Sequence, residues 1–278
     1  MRPRLLLLAA ALSLAATCAL ADTRYVEVPG GSFRSAMKLS DDAKDRLVVA
    51  PFRVREKLVT NAEFLAFVRG ESRWRRDRVA TLFATPGYLS HWSGPLTLGP
   101  DAAPDEPVTG VSWFAARAYC ASEQARLPKW IEWEYAAAAD EKHRDARNDT
   151  VRQARLLANL MATFGSPRMT PVRQHPNVYG LLDMHALTGE WVDDYAALFA
   201  NTDTRNPGEN SELGLCGGAA LAFIDRTDYT LMMRVAALSA LKPADSSRSV
   251  GFRCVKDMNI DNEVVPCSAS ASCSAHSY

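Results

Sequence analysis

The chain reads as a single, loop-rich α+β domain, and three observations predict it. Strand-like stretches stand at Tyr25–Phe33 and Arg46–Val54. Short helices with capping signals follow them. Pro/Gly/Asp-rich connections separate the elements.

Tyr25-Val-Glu-Val-Pro-Gly-Gly-Ser-Phe33 predicts a strand entering a glycine turn and then a short edge segment, and Arg46 to Val54 predicts a second strand. Thr60-Asn-Ala-Glu63 is a capping box, in which threonine and glutamate each satisfy a backbone N–H of the other. Phe64, Phe67 and Val68 then mark one apolar helix face. Trp74-Arg-Arg-Asp-Arg78 reads as a solvated helix face or linker, with an anion or acidic-partner site as the rival. Gly87 to Gly94 reads as a turn-rich loop in which His91 is a hydrogen-bonding residue rather than a ligand. Pro95 to Pro107 is a connection.

Val111 to Ala139 is the hub. Ser112 caps a helix carrying Trp113, Ala116 and Cys120 at helical spacing. Pro128 opens a second helix, where its missing N–H costs nothing, and Trp130, Trp133 and Ala137 form a stripe beside Glu134. These tryptophans are expected to pack. After a charged stretch, Asp140–Asp149, a helix is predicted over 150–164 with Val151, Ala154, Leu157, Leu160 and Met161 on its apolar side.

The N-terminus has the form of an export signal. Arg2 and Arg4 precede an apolar run, Leu5 to Leu20, and Ala19-Leu20-Ala21 supplies a cleavage site. Residues 1–21 are therefore expected to be a signal peptide, with 22–258 the domain and 259–278 a flexible Ser/Ala/Cys tail. The expected location is the periplasm. The full chain carries 32 basic and 32 acidic residues, and loss of the leader leaves 30 against 32. Such a balance offers no basic field for nucleic acid, and no other apolar run is long enough for a membrane span. Export permits disulfides, and the five cysteines left after the leader cannot all pair within the chain.

The hub resembles the signature of the formylglycine-generating enzyme, or sulfatase-modifying factor, family. Pro107, Val108, Val111, Ser112, Trp113, Tyr119, Cys120, Arg126, Leu127, Pro128, Glu132, Trp133, Glu134, Tyr135 and Ala136 match it. A second signature is matched at Asn177, Tyr179, Gly180, Leu181, Asp183, Met184, Glu190 and Trp191, and the terminal motif at Gly251-Phe-Arg-Cys254. The resemblance spans residues 25 to 257. It implies a C-type-lectin-like sulfatase-modifying fold and a Cys120–Cys254 disulfide. It also implies calcium sites. Here, however, the family's Gly-Asn pair is Ala186-Leu187, which leaves backbone carbonyls and Glu190 as the calcium donors.

Active members of that family carry two cysteines soon after Gly-Gly-Ser-Tyr, and these hold copper(I). In this chain no cysteine lies between Gly218 and Phe252, so the soft dithiolate that copper(I) favours cannot form there. The chain thus looks like a divergent member lacking the copper pair. It is similar to the subgroup associated with copper nitrite reductase, which implies a binding or maturation role toward a protein or peptide partner. Two rivals stand beside this. One is an enzyme of altered chemistry on a peptide or siderophore-like substrate, with Cys216, Asp225, Arg226, Tyr229 and Arg248 as candidate catalytic groups. Its cleft would be lined by Trp191, Ser246, Ser247 and Arg248. The other is a copper(I)-handling protein using Cys216 with Met232 and Met233. Ser246-Ser-Arg248 is suited to a carboxylate or peptide terminus, because arginine offers a two-pronged donor. No Ser-His-Asp order, zinc motif, phosphate loop or dinucleotide fingerprint is present.

Overall fold

A computed structural model describes residues 24–37, 46–163, 175–186, 189–195, 223 and 228–258. The tail, Cys216, Cys267, Cys273, Asp225 and Arg226 lie outside these residues.

Strands β1 (Tyr25–Val28), β4 (Phe52–Arg55) and β7 (Val255–Asp257) form an antiparallel sheet in the order β1-β4-β7. Its register pairs Val26 with Val54 and Val54 with Val255. Val26, Val28, Phe52 and Val54 point to the core, while Glu27 and Arg53 face outward, the alternation expected of a half-buried sheet. A smaller antiparallel pair joins β2 (Gly31–Phe33) to β3 (Leu47–Val49). The single strand expected over Arg46–Val54 is therefore two strands in two sheets. The break falls at Ala50-Pro51, where proline cannot donate to a ladder.

Helix α1 (Asn61–Gly70) starts at the expected box: Glu63 N donates to Thr60 Oγ1 at 3.3 Å, and Thr60 N donates to Glu63 Oε2 at 2.8 Å. Helix α2 (Trp113–Ser122) is capped by Ser112, whose Oγ accepts from Ala115 N. Phe64 of α1 stacks on Tyr119 of α2 at 5.8 Å, and both meet Phe252 edge-on. The Cys120–Cys254 disulfide joins α2 to the residue just before β7, as the family resemblance implies.

Helix α3 (Trp130–Ala137) begins two residues after Pro128, with Trp130 N donating to Asp194 Oδ1 at 2.8 Å. Trp130 and Trp133 are buried as expected. Glu134 is buried beside them, where it accepts from Ser35 Oγ (2.5 Å), Ala36 N (2.6 Å) and Trp130 Nε1 (3.0 Å), so one carboxylate ties α3 to the segment after β2.

Helix α4 (Thr150–Thr163) exists as predicted, but its face is rotated. Leu160 is buried as expected, but Arg152 and Leu156 are buried with it, whereas Val151 and Met161 are 78% and 56% exposed. The cause is polar: Arg152 Nη2 donates to the carbonyls of Ala137 (2.8 Å) and Ala139 (3.2 Å), so the guanidinium is drawn inward. Helix α5 (Tyr229–Ser239), capped by Asp228, packs on α4 and on β5 (Gly189–Glu190), which pairs in parallel with β6 (Val250–Gly251). Among the described residues no helix is long and apolar enough to cross a membrane.

Candidate functional site

Of the cysteine-free stretch between Gly218 and Phe252, Phe223 and the residues from Asp228 onward are described, and α5 occupies Tyr229–Ser239 of it. Leu231, Val235 and Leu238 of this helix enter the core. The copper(I) reading gains nothing from the geometry. Met232 and Met233 are consecutive on α5, about 100° apart around the helix axis, so they do not share a face.

After α5 the chain turns back through Lys242–Arg248 and is held from two sides. Trp113 N donates to Pro243 O, Thr85 N to Ala244 O and Gly110 N to Ser247 O at 2.8 Å. Within the turn, Lys242 N donates to Asp245 Oδ2, and Ser247 Oγ lies 2.8 Å from Ser249 Oγ. Ser247 thus serves its own turn. Ser246 Oγ is buried without a hydrogen-bond partner, and Arg248 stands exposed at the tip.

Facing this turn is the loop that carries His91. Leu89 there has φ 48°, a left-handed backbone unusual for a branched side chain. Arg76 pins the loop by donating to Leu89 O (3.1 Å) and Trp92 O (2.7 Å), so part of the basic cluster is a strut rather than a solvated face. Gly110 (φ +66°) lies against the imidazole, and a Cβ there would come within 3.3 Å of His91 Cε1. Among the described residues His91 forms no side-chain hydrogen bond, contrary to the expectation from sequence, and its Nδ1 is buried without a partner. Burial, with Arg248 and Arg76 nearby, lowers its pKa to about 4. The imidazole is neutral at physiological pH. With no hydrogen bond between Ser246 Oγ and His91, the pair is not an activated nucleophile and base. Of the three side chains on this wall Arg248 is the exposed one, while Ser246 Oγ and His91 Nδ1 lie buried.

The other expected cleft residues are not brought to this wall. Trp191 does not line a cleft; it is fully buried, with Nε1 donating to Val111 O at 3.0 Å and Tyr195 packed edge-on at 5.2 Å. Tyr229 is exposed, but it opens α5, whereas the Ser246–Arg248 turn follows the far end of that helix. Ten residues of rise separate those ends by about 15 Å. Glu190 is not free to hold calcium either. Its carboxylate is buried against Arg253, with Nε–Oε2 at 2.6 Å and Nη2–Oε1 at 3.1 Å, and both side chains are only 1% exposed. Among the described residues no group of three or more His, Cys, Asp or Glu converges as a metal site.

Residues 13–258 match the sulfatase-modifying factor enzyme 1-like domain. The chain belongs to that family. Among its relatives, this sulfatase-modifying factor protein is 29% identical to a formylglycine-generating enzyme of Streptomyces coelicolor, across 76% of this chain and 79% of the other. It is 26% identical to the inactive C-alpha-formylglycine-generating enzyme 2 of Bos taurus, across 82% of this chain and 86% of that one. The solved structure of PvdO from Pseudomonas aeruginosa is similar at a TM-score of 0.42 and 18% identity, covering 84% of this chain and 94% of the other. The α+β, single-domain architecture is the one that membership implies.

Proposed function

We propose that this sulfatase-modifying factor protein lacks formylglycine-generating activity and acts as a binding or maturation factor for a protein or peptide partner in the periplasm. The observation that carries the reading is the cysteine-free stretch between Gly218 and Phe252. Its described part includes a core-packed helix, α5. Relatives named as inactive show that the family holds members without the activity. The Ser246–Arg248 turn with His91 is the contact surface in this reading, and the leader ending at Ala21 supplies the route of export.

The test combines the purified protein, copper and a cysteine-containing sulfatase-type peptide. No aldehyde is expected, and its appearance would overturn the reading. Capture of a partner from periplasm by the wild type, weakened by Arg248→Ala at unchanged Tm, is the positive arm. A mature N-terminus at Asp22 would be the matching result for export.

A further inference from the structure

Apart from the Ser246–Arg248 wall, the molecule holds a cavity of about 200 Å³ between α4, the turn after α3 and the Asn177–His185 loop. Its lining is sorted by charge. Arg152 and Arg155 come from α4, and Asp140 and Glu141 from the turn. The apolar floor is Leu156, Leu181 and Met184, all buried.

Two features show that these charges are not already spent on one another. Arg152 is 7% exposed, yet among the described residues its guanidinium meets only the Ala137 and Ala139 carbonyls and the His185 ring, all through Nη2. Among the described residues its Nε and Nη1 have no hydrogen-bond partner and no carboxylate touches the guanidinium, a costly arrangement for a buried charge. His185 cannot neutralise it. Nε2 lies 2.9 Å from Ala137 O, which can only accept, so that nitrogen carries the proton of a neutral ring. Among the described residues Arg155 and Glu141 make no ion pair. Asp140 accepts from Lys142 N and His143 N through Oδ1, and from the His143 ring through Oδ2 when Nδ1 carries the proton. An ionised carboxylate retains further acceptor sites. Asn177, by contrast, is committed to structure: its Nδ2 donates to Ala136 O of α3 and its Oδ1 accepts from Tyr179 N and Leu181 N.

From this arrangement we infer that the cavity is a binding site for a small free α-amino acid with an apolar side chain. The ligand carboxylate meets Arg152 and Arg155, its ammonium meets Asp140 and Glu141, and its side chain lies on Leu156, Leu181 and Met184. Size supports the class, since about 200 Å³ lies below the volume typical of pockets for drug-sized molecules. Charge does too, because an anion alone would face the acidic turn and a cation alone would face α4.

Calorimetric titration of the full-length protein with L-leucine tests the inference, with leucinamide and N-acetyl-L-leucine as controls that each lack one charge. L-leucine is expected to bind with a Kd of about 1 mM or tighter, and each control about tenfold more weakly. Arg155→Gln and Glu141→Gln, both exposed, should weaken L-leucine about tenfold at unchanged Tm. Absence of heat at millimolar L-leucine, equal binding of all three compounds, or unchanged affinity in both variants would overturn it. None of these outcomes bears on the aldehyde assay above.

Discussion

Glu190 and Arg253 form a two-point ion pair inside the core, linking the last residue of β5 to the chain between β6 and β7. Arg253 also donates to Leu182 O at 3.3 Å, so the same guanidinium anchors the loop in which a calcium ion was expected. Opening a buried pair from one side leaves the surviving charge uncompensated. Glu190→Gln is therefore expected to lower unfolding free energy by about 3–5 kcal/mol, and a double replacement of Glu190 and Arg253 by methionine by clearly less. Urea denaturation of the three proteins measures both. A chelator should leave the wild-type Tm where it was.

His91 predicts a pH dependence. Its folded pKa, about 4, lies below the ordinary value of 6.5 because of burial and the neighbouring Arg248 and Arg76. As pH falls from about 6.5 to about 4, the unfolded chain takes up a proton that the folded protein refuses, and stability drops across that window. The buried His185, also shifted downward by burial, with Arg234 and Arg152 adding to it, acts in the same sense. The Tm of His91→Gln should therefore fall less steeply than that of wild type between neutral pH and about pH 4. Parallel Tm profiles would contradict this.

The rotated face of α4 is open to direct test. Leu156→Ala and Leu160→Ala should each cost about 2–5 kcal/mol, because both side chains are buried. Val151→Thr and Met161→Gln, at exposed positions, should change stability by about 0.5 kcal/mol or less. If the apolar face read from the sequence were correct, Val151 and Met161 would be the costly positions and Leu156 a tolerant one, while Leu160, buried on either reading, serves as the control.

Replacing both Cys120 and Cys254 by alanine should cost about 2–4 kcal/mol, since the bridge closes a loop of 134 residues in the unfolded chain. Chemical denaturation with and without reductant would give the same difference for wild type.

Much of the frame was legible because it rests on local chemistry. The Thr60–Glu63 box, the Ser112 cap and the Trp130/Trp133 stripe each follow from residue type and spacing alone, and each is present. The disulfide came through the family resemblance rather than from spacing. What failed involved polar groups satisfied at long range. Arg152 turns inward because carbonyls 13 and 15 residues back need donors. Trp191 buries because Val111 O, 80 residues away, accepts from its indole. Glu190 meets Arg253 across 63 residues of sequence. The Ser246–Arg248 part of the expected cleft is a turn after α5 in which Arg248 is exposed and Ser246 Oγ is buried. His91 was visible only as a histidine among polar neighbours; neither the left-handed Leu89 nor the glycine pressed against its ring can be read from one sequence.

The covalent tie between Cys120 and Cys254 makes everything between them a closed ring. A protease that cuts once anywhere inside it releases no fragment, and the nicked molecule migrates as one species until the sulfur–sulfur link is broken. Damage to this protein in an oxidising compartment would thus stay hidden on a non-reducing gel, and two new bands would appear only after thiol treatment.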